Sequence, residues 1–318
     1  MSTRALGLLI LLVLLSPSAG SSQQGQALVA GCVTGTPQLP HACVDATLAA
    51  RSLITDTGFL LSLGSAAPGS WGPLRRNTPR FDVSFRIAGL RAHIPVITHE
   101  RVAGLAKTEF VLGTIQGNLI VGLFEGFQVK PTVGGLFSLD LMAQGHLLFF
   151  PKEMGLDSRM GAFSLGMRLG LVRETFTLPG IALSISRRFM GPLTLDWESG
   201  HYSTDLVIEP SISSVRLTIG KSMSSLGLMV GAGLDSHNSE VKLTILPKGS
   251  DPAEFNAPLV IHRPVLFSGV SLSLLILQLS TEVGWALGPP MPEGHALGPI
   301  DPSQGSGFLS LAARLSIR

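Results

Sequence analysis

Much of this chain alternates with a period of two, in runs longer than a soluble sandwich needs. Phe81, Val83, Phe85 and Ile87 are apolar, with Asp82, Ser84, Arg86 and Ala88 between them. Leu165, Met167, Leu169 and Leu171 alternate with Gly166, Arg168 and Gly170, and Val215, Leu217 and Ile219 with Arg216, Thr218 and Gly220. Leu226, Leu228 and Val230 alternate with Gly227, Met229 and Gly231, and Leu309, Leu311, Ala313 and Leu315 with Ser310, Ala312 and Arg314. Period two places successive side chains on opposite faces of a strand. Many of the runs reach about 9–11 residues, the length that crosses a bilayer at a tilt, whereas strands of soluble proteins are mostly about 5–6 residues. The second face carries Gly, Ser, Thr and Arg rather than the Lys and Glu of a solvated surface. An apolar face turned outward with Gly, Ser and Arg turned inward is the pattern of a transmembrane barrel.

Composition narrows the alternatives. Of 318 residues 45% are hydrophobic and only 14% charged, against about 25% charged in an ordinary soluble domain; mean hydropathy is +0.40. Disorder is excluded, because such segments are polar and highly charged. The charge also argues against nucleic-acid binding: the net charge is +2, and the basic clusters are no larger than the pairs Arg75/Arg76 and Arg187/Arg188. A membrane helix needs roughly 20 mostly apolar residues. The longest apolar run, residues 8–15, follows Arg4 and precedes Ser16-Pro17-Ser18-Ala19-Gly20, the layout of a secretory signal peptide over 1–20. The next candidate, residues 272–279, is short and interrupted by Ser273 and Gln278. With helices set aside, only a closed barrel satisfies backbone polar groups in lipid.

Strands are expected near residues 53–63, 80–93, 109–125, 134–149, 160–173, 179–190, 205–220, 225–245, 264–273, 277–287 and 306–317. Their connections alternate between short (128–133, 174–180, 221–225, 274–277) and long (94–107, 150–159, 187–205, 246–263, 287–305), as for periplasmic turns and outer loops. Single-chain bacterial barrels have an even strand number. The expectation is therefore an all-β, antiparallel up-and-down barrel of about 12 strands (10–12), or ten if residues 53–63 lie outside the wall. It divides the chain into a leader at 1–20, an N-terminal segment at 21–52 and a barrel at 53–318.

The N-terminal segment holds both cysteines, Cys32 and Cys43. In an exported chain they are expected to form a disulfide, which for so short a loop stabilises by roughly 2–3 kcal/mol. The segment either lies in the periplasm or enters the barrel as a plug. The predicted lumen lining is Asp82, Arg86, Asp140, His146, Arg168, Arg188, Arg216, Lys242, Glu282 and Arg314. Basic groups outnumber acidic ones, which fits a channel for anions or polar solutes. The same residues equally fit a narrow lumen filled by Arg–carboxylate pairs. No metal set, cofactor motif or catalytic residue is assigned. One His and two Cys are too few ligands for zinc, and no His–Ser–carboxylate spacing matches a known triad order.

From about residue 53 to Arg318 the chain resembles bacterial outer-membrane β-barrel proteins. The leader, the alternating strands, the loop asymmetry and the closing strand through Arg314-Leu315-Ser316-Ile317-Arg318 carry the resemblance. It implies a bacterial outer-membrane location, contact with outer-membrane lipid and insertion by the barrel-assembly machinery. It fits three functions: a passive pore or transporter for small solutes, a structural or interaction barrel with a filled lumen and long outer loops, and a membrane-embedded hydrolase, the least supported.

Overall fold

Ile317, near the end of the chain, pairs with Phe81 at the start of the first strand, and that pairing closes the sheet on itself. The computed structural model describes residues 20–70, 80–96, 106–127, 136–152, 156–198, 201–249, 251–288 and 305–317. The expected leader lies, but for Gly20, outside them. Two helices, α1 (Gly20–Gly35) and α2 (Pro40–Ser62), precede the strands. These are β1 (Arg80–Val96), β2 (Ala106–Phe124), β3 (Ser138–Phe149), β4 (Arg159–Val172), β5 (Gly180–Met190), β6 (Leu193–Glu198), β7 (Tyr202–Met223), β8 (Leu226–Pro247), β9 (Ala253–Leu274), β10 (Leu277–Ala286) and β11 (Ser306–Ile317).

Each strand pairs antiparallel with its sequence neighbour, except that β5 pairs with β7 and β1 with β11. The ring therefore has ten strands. β6 stands outside it. After the break at Gly191-Pro192 it runs along β7 beyond the end of β5, with Leu193 opposite Ile208 and Glu198 opposite Ser203. Of the expected 10–12 strands, twelve is not found; the ring has ten, the case in which residues 53–63 lie outside the wall. The strand expected over 53–63 is not found, because residues 53–62 belong to α2, which ends at Ser62, and Leu63 follows it. The other expected strands fall on β1–β5 and β7–β11. β9 begins at Ala253 rather than near residue 264, because part of the expected loop over 246–263 is wall.

The strand ends that flank the short connections lie at one end of the ring, with the start of β1 and the close of β11. Two are tight hairpins, β7–β8 at Ser224-Ser225 and β9–β10 at Leu275-Ile276, each with a positive φ at its first residue (58° and 54°). The strand ends that flank the long connections lie at the other end. These are the turn end and the loop end below.

Burial shows what each face does. Near the turn end the outward residues are apolar and exposed, among them Phe85, Ile87, Leu119, Leu165, Met167, Ile185, Val230, Val270, Val283, Leu309 and Leu311. The inward residues there are polar or charged. Toward the loop end the polarity reverses with no change of parity. In β8, Asn238, Glu240 and Lys242 point outward while Val241, Leu243 and Ile245 are buried inside. In β7, Asp205 and Glu209 point outward while Leu206, Ile208 and Ile212 are buried. The wall beyond the apolar band is built like a soluble protein, and its inner surface packs on Leu28, Cys32, Leu53, Ile54, Phe59 and Leu60 of the two helices. Among the described residues no helix is long and apolar enough to cross a membrane.

Candidate functional site

The candidate site is the lumen, which the chain fills with its own segment. The helices form a hairpin joined by the Cys32–Cys43 disulfide, with Cα atoms 5.7 Å apart. The hairpin enters at the loop end, where Gly35 packs against the Phe255 ring of β9. Every residue from Ala46 to Ser70 is buried. Burial of Leu53, Ile54, Phe59, Leu60 and Leu61, each 1% exposed or less, stabilises by about 1.5–3 kcal/mol per side chain. A helix buried on all sides has no polar stripe, which is why its period is hard to see in the sequence.

From mid-helix to Ser70 this plug is held by wall side chains, mostly through its backbone carbonyls. Arg263 donates to the Thr55 carbonyl at 3.0 Å and lies over the Phe59 ring at 5.0 Å. Gln116 reaches the Leu60 carbonyl. Arg216 donates to the carbonyls of Ser62 (2.8 Å) and Gly64 (3.2 Å). Arg86 donates to those of Leu63 (2.6 Å) and Ser65 (2.8 Å). Gln144 holds the Ala66 carbonyl at 2.9 Å, Arg314 the Gly69 carbonyl at 3.3 Å, and Arg168 the Ser70 hydroxyl at 2.8 Å. The carboxylates accept in turn: Asp235 from the Ser62 hydroxyl at 2.7 Å, and Glu282 from the Ser65 backbone N–H at 3.0 Å and from the Ser65 hydroxyl. Every ring strand except β5 contributes a group to these bonds or, through Ser306 of β11, to Asp56.

Local structure explains the fit. The last carbonyls of a helix lack intrahelical partners and carry the negative end of its dipole, so Arg216 and Arg86 cap α2 as cations. Gly64, at φ +62°, turns the chain below the helix, and a Cβ there would overlap Glu282. At Gly58 a Cβ would overlap the His237 ring. Four arginines also pair with inward carboxylates: Arg86–Glu282 at 2.9 Å, Arg168–Asp140 at 2.8 Å, Arg216–Asp235 at 2.7 Å, and Arg314–Asp82. Buried ions are tolerable only when paired and hydrogen-bonded, and the plug supplies much of the remaining bonding.

Of the ten residues assigned to the lumen, Asp82, Arg86, Asp140, His146, Arg168, Arg188, Arg216, Glu282 and Arg314 point inward. Lys242 does not. It is exposed on the outer face between buried Val241 and Leu243. Its assignment assumed that the apolar face meets lipid along the whole strand, whereas beyond the band the apolar face is the inner one. The sequence reading missed Asp235, His237 and Arg263, and the plug hydroxyls Ser62 and Ser65. Asp235 and His237 share the parity of Gly231 and Gly233, which is the signal that could have found them. Among the described residues, no group of three or more His, Cys, Asp and Glu side chains is placed to hold a metal ion.

No family model and no curated protein matches the chain. Solved structures do. The translocator domain of the autotransporter NalP from Neisseria meningitidis aligns at 10% identity and TM-score 0.42, covering 76% of this chain and 89% of that one. The transport unit of the autotransporter AIDA-I from Escherichia coli aligns at 8% identity and TM-score 0.35, covering 85% and 99%. Neisserial surface protein A aligns at 11% identity and TM-score 0.28, covering 74% and 97%. All three are outer-membrane β-barrel proteins.

Proposed function

We propose that this chain is a self-plugged barrel of the bacterial outer membrane, closed to solutes as it stands and presenting its stapled helical hairpin at the outer mouth to a partner. One observation carries the reading: the segment from Thr55 to Ser70 runs down the lumen, bonded to wall groups all round the ring. The outward apolar band supports the membrane location. The grouping of short turns at one end assigns that end to the periplasm and the loop end to the exterior.

The test is conductance in planar bilayers. The intact protein gives no steps, and Arg86→Ala combined with Arg216→Ala, which removes four carbonyl contacts of the plug, gives transient ones. Regular ohmic steps from the intact protein at modest voltage would return the reading to a passive pore for small solutes.

The polar character of the plug contacts favours a second reading, a transporter whose plug moves. Side chain-to-carbonyl bonds are bonds that water can replace. A disulfide engineered between the plug and the wall then abolishes uptake of the solute, whereas a permanently plugged barrel is indifferent to it.

The reading assigns no catalytic activity. Ser62 and Ser214 donate to Asp235, while the ring nitrogens of His237 are buried without a hydrogen-bond partner, so these groups form no Ser–His relay. Turnover of ester or phospholipid substrates, lost in Ser62→Ala or Ser214→Ala, would oppose this.

A further inference from the structure

Among the described residues β5 is the ring strand that shows no hydrogen bond to the plug, and its one inward charge, Arg188, is the inward arginine with the fewest hydrogen bonds. Arg188 is 4% exposed. Nη1 donates to the Ser214 hydroxyl at 2.6 Å, and Nε is buried with no partner. Among the described residues no carboxylate lies within the 4.0 Å of an ion pair. The nearest acidic relay is Ser214, which donates to Asp235 at 2.6 Å. Asp235 is already engaged by Arg216 at 2.7 Å and by Ser62. One carboxylate thus serves two guanidiniums, and one positive charge remains unbalanced. The other arginines facing the plug pair with carboxylates or, in Arg263, reach the Asp56 carboxylate through the Ser306 hydroxyl, beside bonds to the Thr55 and Leu287 carbonyls.

A second unsatisfied group lies diagonally across β4, one residue pair beyond Gln144, which stands level with Arg188. His146 of β3 is 5% exposed, and neither ring nitrogen has a hydrogen-bond partner. Register sets His146 opposite Ala162 of β4, and Arg188 opposite Ser164 of the same strand. Between the two long side chains β4 presents the small residues Ala162 and Ser164, and Ser164 donates to Gln144 of β3 at 2.8 Å. A guanidinium and an imidazole thus face a shared strip of wall, both taken from water with donors unspent. Leaving a buried charge uncompensated is strongly unfavourable.

We propose that Arg188 and His146 form a binding site for a small monovalent anion of the chloride type, enclosed between β3, β4, β5 and the plug. The single unbalanced charge matches one negative charge, and a divalent oxyanion would overcompensate it. Burial of both side chains leaves no route for a bulky solute. Arg188 supplies its unpartnered Nε–H, and the imidazole supplies one N–H. The ion completes the charge balance of the wall where no plug group does so.

Crystals of the full-length protein grown in bromide test this directly. An anomalous peak within hydrogen-bonding distance of Arg188 and His146 is expected; bromide found only at surface loops, or nowhere, overturns the site. The second measurement is the thermal midpoint of the folded barrel in detergent at constant ionic strength. Replacing chloride by the bulky anion gluconate lowers the wild-type midpoint, since a ligand bound only by the folded state stabilises it. Arg188→Gln abolishes this response, and Arg188→Lys, which keeps the charge, retains part of it. If Arg188→Gln does not fold, Arg188→Lys and the wild-type bromide crystals decide. An equal response to chloride in wild type and Arg188→Gln overturns the proposal.

Discussion

Arg216 of β7 and Ser62, the last residue of α2, meet at 2.8 Å, guanidinium to carbonyl. This is the junction between wall and plug, and it rests on the buried Arg216–Asp235 pair at 2.7 Å. Arg216→Ala strands Asp235 without its ion partner and uncaps the helix, a loss of about 3–5 kcal/mol. The double change Arg216→Met with Asp235→Leu removes both charges and is expected to cost less than either single change. The midpoint of heat-modified migration in detergent gels reads this. Additive losses would show that the pair is not the unit that holds the plug.

The membrane-facing part of this architecture is legible in the sequence because lipid imposes a strict rule on it. Val215, Leu217 and Ile219 declare an outward face, and Arg216 and Thr218 an inward one. That rule holds only where lipid is outside. Beyond the band the same period continues with the meaning of the faces reversed, so Lys242 looks inward in the sequence and is outward in the fold. The plug is illegible for a different reason. Leu53, Ile54, Phe59, Leu60, Leu61 and Leu63 are buried on all sides of a helix and its exit, so no amphipathic stripe separates them from a strand. The partners of Ser62 and Ser65, Asp235 and Glu282, lie 173 and 217 residues away, and no local pattern announces a contact at that distance.

Gly58 is fixed by the His237 ring, which fills the place of a Cβ. Gly58→Ala therefore forces helix and wall apart, at about 1–3 kcal/mol for overpacking of this kind. Amide hydrogen exchange over residues 53–63 is expected to speed up while the ring strands keep their protection. His237→Ala in the same chain restores the slow exchange. No rescue would mean that the glycine matters for helix geometry rather than for the approach of the wall.

The disulfide joins α1 to α2 above the plug, whereas the wall bonds described run from Thr55 to Ser70. Reduction is expected to cost roughly 2–3 kcal/mol and to free α1 at the loop end. The lumen stays closed, because Arg216, Arg86 and Arg168 hold the chain below the staple. Conductance recorded before and after reductant checks the point. Steps that appear on reduction would make the staple, and not the wall contacts, the element that keeps the lumen shut.

Sidedness follows from where the wall changes character. Lys242 projects outward beyond the apolar band toward the loop end, and Ser224 is exposed at the β7–β8 hairpin of the turn end. In intact cells an impermeant maleimide is expected to label Lys242→Cys and to leave Ser224→Cys unmodified until the outer membrane is opened. As a solvated outer residue, Lys242→Ala changes stability by no more than about 0.5 kcal/mol, in contrast to Arg216→Ala. Labelling of Ser224→Cys alone would invert the barrel and put the stapled hairpin in the periplasm. Protection of Lys242→Cys in both conditions, together with a large loss in Lys242→Ala, would return this residue to the lumen. It would also undo the reversal of faces on which the outer wall is built.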